Sequence, residues 1–143
     1  MTGMRDLREA FPPDSDGAFP QYEPSYTSLV ETLGFPILLE VNDKGYSGDS
    51  RMLLADGKRR GYLLFGWGSC SGCDALQACD SYEELEKLRA SLAAGITWFD
   101  DSRAALIWFA THDWEADCCF HEEEQRDFVN QATALLTAQA GPA

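Results

Sequence analysis

The stretch MLLADGKRRGYLLF, residues 52–65, decides the fold, because an apolar run stands at each of its ends. Between the two runs come Asp56 and Gly57, a pair that tolerates the positive φ angles of a tight hairpin turn. The four residues at either end of the stretch are therefore predicted to be neighbouring antiparallel strands.

Upstream of this hairpin the sequence predicts one more strand and a short helix. The apolar run 36–41 has the length of a strand and is closed by turn-forming residues at 42–45. Residues 25–33 fit a short helix that Gly34 would end.

Residues 1–24 are predicted to form an extended arm, since their four prolines deny the backbone donors and the φ freedom that helices need. Its aromatic side chains would pack across the body of the protein. Residues 25–143 are predicted to form one domain. With 143 residues, of which 45% are apolar, the chain has enough material for one hydrophobic core.

Three helices are predicted after residue 80, where the spacing of apolar residues changes to about 3.6. Ser81 and Glu84 fit a capping box at the start of the first helix. The second helix, around 104–110, lacks a polar face, which indicates a central, buried position. The third begins with glutamates at 122–124, where negative charge stabilises a first turn. The apolar stripe of the first helix contains Tyr82, Leu85, Leu88, Leu92 and Ile96.

Residues 114–121 alternate apolar and polar side chains, which favours a further strand late in the chain. In such a strand Cys118 would face the core, while Cys119 and His121 would share the opposite face. Strands followed by helices indicate an α+β protein, with about three helices laid on one face of a small antiparallel sheet.

The charge of the chain is strongly negative and unevenly distributed. Eleven basic and twenty-four acidic residues give a net charge of −13, of which residues 73–143 carry −10. Direct binding to nucleic acid depends on Lys and Arg, so this balance disfavours it, and it disfavours an anionic membrane surface for the same reason. A basic protein surface is the predicted partner.

Three of the five cysteines lie within residues 66–79, which we call the Gly-Cys loop. The spacing CxxC lets two sulfur atoms point at one ion, so the loop predicts a structural zinc site. The predicted zinc ligands are Cys70, Cys73, Cys79 and His121. Cys119 or His112 could replace His121 as the fourth ligand. Inert buried thiols fit these cysteines at least as well as zinc ligands do, and disulfide or redox chemistry is a further alternative.

Residues 67–73 follow a predicted strand and resemble the active site of thioredoxins, where a helix N-terminus behind a CxxC pair lowers the thiol pKa. The resemblance implies redox chemistry at Cys70 and Cys73. The chain departs from that family because no proline occurs between Pro36 and Pro142, so the cis-proline that faces the cysteines is missing.

Four residues are candidates for contacts with a partner. Trp67 stands between glycines and could present an exposed indole on the loop, as an interface anchor does. Asp74 follows the CxxC pair directly. Glu122 and Glu123 belong to the acidic start of the last predicted helix.

These observations predict a small acidic binding or accessory protein, such as an inhibitor, an immunity-type protein or an assembly partner. The alternative is a thiol-dependent redox or catalytic protein that uses the Gly-Cys loop. The N-terminus has no apolar run behind it and no window is apolar enough to span a membrane, so a cytoplasmic location is expected.

Overall fold

The structure is a computed structural model that describes residues 3–69, 72, 74–117 and 121–141. Within these residues the chain forms a four-stranded antiparallel sheet in the order β1-β2-β3-β4, together with helices. The predicted α+β class is confirmed. The elements are α1 Leu7–Ala10, α2 Tyr26–Glu31, β1 Ile37–Asn42, β2 Gly48–Asp56, β3 Arg59–Trp67, α3 Tyr82–Ala94, β4 Thr97–Phe99, α4 Ser102–Thr111, a 3₁₀ helix Trp114–Asp117 and α5 Glu122–Ala140.

The hairpin of β2 and β3 forms the centre of the sheet, as predicted. Asp56 pairs with Arg59 across the hairpin, so the turn between them consists of two residues, and Gly57 adopts a φ of +59° there. The ladder continues to Gly48 opposite Trp67, so both strands are longer than their apolar runs. The predicted strand upstream is β1, which pairs with β2.

Local capping sets the starts of the helices. Ser25, Ser81 and Asp101 each accept a hydrogen bond from the backbone N–H three residues later, at the starts of α2, α3 and α4. The helices predicted after residue 80 are all present. Helix α4 is less buried than its composition indicates, because Ile107 is 60% exposed.

The helices cover both faces of the sheet, which corrects the prediction that they lie on one. Met52 and Leu54 point to what we call the first face, where they pack against α1, α2 and α3. Leu53 points to the second face, where it packs against α4 and α5. Because side chains alternate along a strand, three consecutive apolar residues require cover on both sides.

The prediction of a late strand at 114–121 is wrong for the residues of this segment that the structure describes. Trp114–Asp117 is a 3₁₀ helix, and the fourth strand is instead Thr97–Phe99, paired with β3. The Trp114 indole donates to the carbonyl of Phe109 and packs on the second face, so local contacts satisfy the segment without a partner strand. Residues 118–120 lie outside the described residues.

The N-terminal arm is extended only in part. Residues Leu7–Ala10 form a helical turn, and the side chains of Leu7 and Phe11 are buried against the first face. The Arg89 guanidinium donates to the carbonyl of Arg5 at 2.6 Å, which attaches the arm to α3. Tyr22, by contrast, is 95% exposed. No described helix is long and apolar enough to cross a membrane.

Candidate functional site

A buried ion pair lies beneath the start of α5. Arg51, in the middle of β2, points to the second face and donates to Oδ1 of Asp43 at 2.8 Å. The two side chains are 1% and 0% exposed. The other oxygen of Asp43, Oδ2, accepts the backbone N–H of Asp49 at 2.8 Å. Both carboxylate oxygens are thus held in place, and the β1–β2 loop closes over them.

Close packing of the β1–β2 loop requires a glycine at residue 48. A Cβ atom there would lie 2.6 Å from Cβ of Asp43 and 3.0 Å from its Oδ2. Any larger residue at this position would displace the buried carboxylate. The orientation of Asp43 is therefore set by three residues of β2, which are Gly48, Asp49 and Arg51.

His121 and Glu124 bring further ligand atoms to the same place. Nε2 of His121 lies 4.0 Å from Oδ2 of Asp43, and its Nδ1 lies 3.8 Å from Oε2 of Glu124. A spacing of three residues at the start of α5 places His121 and Glu124 side by side. One ligand atom from each of the three residues lies within 4.8 Å of the others, so they could hold a metal ion. We call Asp43, His121 and Glu124 the Asp43 group.

Three buried polar atoms have no hydrogen-bond partner among the described residues on the second face: Nε of Arg51, the hydroxyl of Tyr62 and Nε2 of Gln125. Burial raises the pKa of Tyr62, the charge of Arg51 lowers it in part, and nearby Asp117 and Asp49 raise it further. Tyr62 therefore stays neutral. Buried polar atoms without partners are uncommon in folded proteins, so these three atoms mark a polar region within the second-face core.

A histidine–aspartate pair lies close to the 3₁₀ helix. Nε2 of His112 is 2.6 Å from Oδ2 of Asp117, and the imidazole stacks on Trp108 with the ring centroids 4.1 Å apart. Both contacts fix the imidazole orientation. His112, an alternative zinc ligand in the sequence, has one ring nitrogen committed to Asp117.

Asp74 organises the described part of the Gly-Cys loop. Its side chain is buried and accepts the backbone N–H groups of Gly68, Leu76 and Gln77 and the hydroxyl of Tyr26, at 2.8–3.1 Å. Burial alone would raise the pKa of Asp74, but these hydrogen bonds outweigh it and lower the pKa overall. The residue predicted as a partner contact thus closes the loop from within.

Cys79 is a buried thiol of the first face. It is 5% exposed, and its sulfur donates to the carbonyl of Ala75 at 3.4 Å. Burial raises the pKa of Cys79, and the carboxylates of Glu84, Asp80 and Asp74 raise it further. His121 precedes α5 on the opposite face, so the structure does not bring these two predicted zinc ligands together. Cys70 and Cys73 lie outside the described residues.

The other predicted contact residues divide between the core and the surface. Trp67 is the last residue of β3 rather than a loop residue, and its half-buried indole packs against the first-face core. Glu122 and Glu123 lie in the first turn of α5, where the sequence placed them, and both side chains are exposed.

Five exposed carboxylates lie in the sequence around the start of α5, and we call them the acidic end: Asp113, Glu115, Glu122, Glu123 and Asp127. In the part of the chain that the structure describes, none of the five takes part in an ion pair. Two basic residues lie close to these carboxylates, because Lys44 and Arg126 line one cleft together with Glu123 and Asp127.

Sequence reasoning missed Asp43, Arg51 and Glu124. Arg51 carried one usable signal, because it shares the strand parity of Leu53 and must therefore point into the second face. Asp43 carried no such signal, since residues in turns are ordinarily exposed to solvent.

Comparison with known proteins finds no match to a family model, to a curated protein or to a solved structure.

Proposed function

We propose that this protein is a small acidic binding or accessory protein that docks on a basic protein surface through the acidic end. The observation that supports this is the set of five exposed carboxylates without ion pairs among the described residues. Carboxylates that are free of internal partners can pair with Lys and Arg of another protein without breaking existing contacts.

The surroundings favour this surface over the rest of the protein. The residues 73–143 carry a net charge of −10, and the acidic end belongs to them. A concentrated field of one sign accelerates encounter with a basic partner and excludes acidic ones. An inhibitor, an immunity-type protein or an assembly subunit would use such a surface.

The test removes the same charge from two places. One variant carries Glu115→Gln, Glu122→Gln and Glu123→Gln at the acidic end. Its matched control carries Asp14→Asn, Glu23→Gln and Glu31→Gln, which are exposed residues near the N-terminus and make no side-chain bonds among the described residues. Both variants change the net charge equally, so any difference between them reports position.

The probe is an immobilised lysine homopolymer, with binding measured across a salt titration. We expect the acidic-end variant to bind clearly more weakly than the control and to show the smaller salt dependence. Equal losses in the two variants would mean that only net charge matters, and the docking surface would be abandoned.

Zinc remains part of this proposal as a structural ion. Of its predicted ligands, His121 lies in a group that could hold a metal ion, and Zn²⁺ accepts both imidazole nitrogen and carboxylate oxygen. Metal analysis of protein purified without chelator measures whether zinc accompanies the chain.

The alternative of thiol chemistry gains nothing from Cys79, whose buried thiol has a raised pKa. A thiol titration mapped by mass spectrometry discriminates the two functions. A cysteine at residue 70 or 73 that reacts with a pKa well below about 8.5 would favour the catalytic alternative.

A further inference from the structure

We infer that the Asp43 group is a divalent-cation site, best matched to zinc, which joins the β1–β2 loop to the start of α5. The inference deepens the zinc part of the proposed function and replaces the predicted thiol ligands with two carboxylates. It is independent of the acidic end, because it concerns an ion and not a protein partner.

The present distances are close to those that one ion needs. Zinc binds nitrogen and oxygen at about 2.0–2.2 Å, so neighbouring ligands of a tetrahedral ion lie roughly 3.4 Å apart. The ligand atoms of the group lie within 4.8 Å of one another, and Nε2 of His121 is 4.0 Å from Oδ2 of Asp43. Small rotations of the His121 and Glu124 side chains would bring the ligand atoms to the separations that zinc needs.

The group combines a rigid ligand with two adjustable ones. Asp43 is fully buried and held by Arg51, by the N–H of Asp49 and by the close approach of Gly48. The side chains of His121 and Glu124 are 29% and 16% exposed, so both can turn and an ion can enter from solvent. A water molecule would complete the four ligands, as in zinc sites with three protein ligands.

Charge balance also favours a cation. Two carboxylates lie beside the imidazole of His121, while Arg51 offsets the charge of only one of them. The positive end of the α5 dipole works against a cation here, but Glu122 and Glu123 add negative charge in the same turn. A metal ion would offset the negative charge that Arg51 leaves uncompensated.

The experiment titrates Zn²⁺ into the chelator-treated chain of 143 residues by calorimetry and repeats the titration with Mg²⁺ and Ca²⁺. We expect about one strongly bound Zn²⁺ per chain and a raised melting temperature. Mg²⁺ and Ca²⁺ should bind at least tenfold more weakly, because both prefer all-oxygen ligands.

Variants identify the ligands. Glu124→Gln and His121→Ala should each weaken Zn²⁺ binding at least tenfold, since changes around metal ligands commonly cost that much or more. Glu31→Gln is the matched control, because it removes the same charge at an exposed position outside the group. Its Zn²⁺ affinity should stay within about twofold of the wild type. Circular dichroism of each variant verifies that the fold is intact.

A second comparison separates this site from the thiols. Protein with Cys70→Ser and Cys73→Ser should keep the full stoichiometry and affinity for Zn²⁺. Loss of the ion in that variant, unchanged binding in Glu124→Gln, or no stoichiometric binding in the wild type would each overturn the inference. None of these results would bear on the lysine-homopolymer assay, so the failure of one proposal is distinguishable from the failure of the other.

Discussion

Two buried aspartates in this protein are surrounded in opposite ways. Asp74 on the first-face side receives only neutral donors, which are three backbone N–H groups and the hydroxyl of Tyr26. Asp43 on the second-face side receives a guanidinium and one backbone N–H, and it has a histidine and a second carboxylate within 4.8 Å.

The difference shows which buried carboxylate has capacity for chemistry. Three of the four hydrogen bonds to Asp74 end on Oδ1 and one ends on Oδ2, and all four donors belong to the loop or to Tyr26. They stabilise the charge of Asp74, so this residue serves the conformation of the loop. Oδ2 of Asp43 has one hydrogen bond and faces His121 at 4.0 Å, which leaves a lone pair for another ligand. Burial alone would not have distinguished the two residues.

The largest effect is expected at the ion pair. Arg51→Met should lower the free energy of unfolding by about 3–5 kcal/mol in urea denaturation, because it leaves the buried Asp43 charge uncompensated. Lys87→Met is the control. Its pair with Glu83 is 3.5 Å long and exposed, so its loss should cost at most about 0.5 kcal/mol.

A double variant shows whether the loss comes from the unpaired charge. Arg51→Met with Asp43→Asn leaves neither charge buried and should recover part of the stability that Arg51→Met removes. If the double variant is less stable than the single one, the cost lies in packing and the comparison of the two aspartates loses its electrostatic basis.

A smaller loss is expected at the other aspartate. Asp74→Ala removes the acceptor of four donors, of which the Gly68 N–H is buried, and should cost about 1–3 kcal/mol by the same urea measurement. Asp80→Ala nearby should change stability by less than about 0.5 kcal/mol, since Asp80 is exposed and its side chain makes no hydrogen bond among the described residues. Equal losses would show that Asp74 is not the centre of the loop.

Much of the fold followed from short-range patterns. Asp56 and Gly57 predict the central turn, and Ser81 with the apolar stripe after it predicts α3, and both elements are present. The strand Thr97–Phe99 was missed because three residues are too few to show alternation. The segment at 114 was misassigned because an alternating sequence forms a strand only where another strand is available to pair with it. The Trp114 indole instead donates to the nearby carbonyl of Phe109 and packs against the ring of Trp108.

The candidate site was far less predictable than the fold. His121 was identified, but with cysteines as its expected neighbours, because spacing along the chain is the only guide to ligand sets in a single sequence. Asp43 and Glu124 join it through the packing of α5 on the sheet, and that contact is long-range. Local patterns do not encode such contacts.

The pH dependence of stability should differ by a modest amount between wild type and Asp74→Asn. The folded pKa of Asp74 lies below its unfolded value of about 3.9, so the unfolded state takes up the proton first. The contribution of Asp74 is therefore present above that value and is lost as pH falls through the lowered folded pKa. Urea denaturation at a series of acidic pH values should show the two proteins converging in this window, and a constant difference would contradict the prediction.

The smallest effect is expected at Cys79, where zinc should not change the rate at which the thiol is alkylated. Its raised pKa and its burial predict slow alkylation in the folded protein and fast alkylation in denaturant, followed by mass spectrometry of the peptide. Because the thiol packs on the first face and the Asp43 group lies beside α5 on the second, Zn²⁺ should leave the folded-state rate unaltered. Protection of Cys79 by zinc would restore the thiol to the ligand set and remove the distinction between the two aspartates.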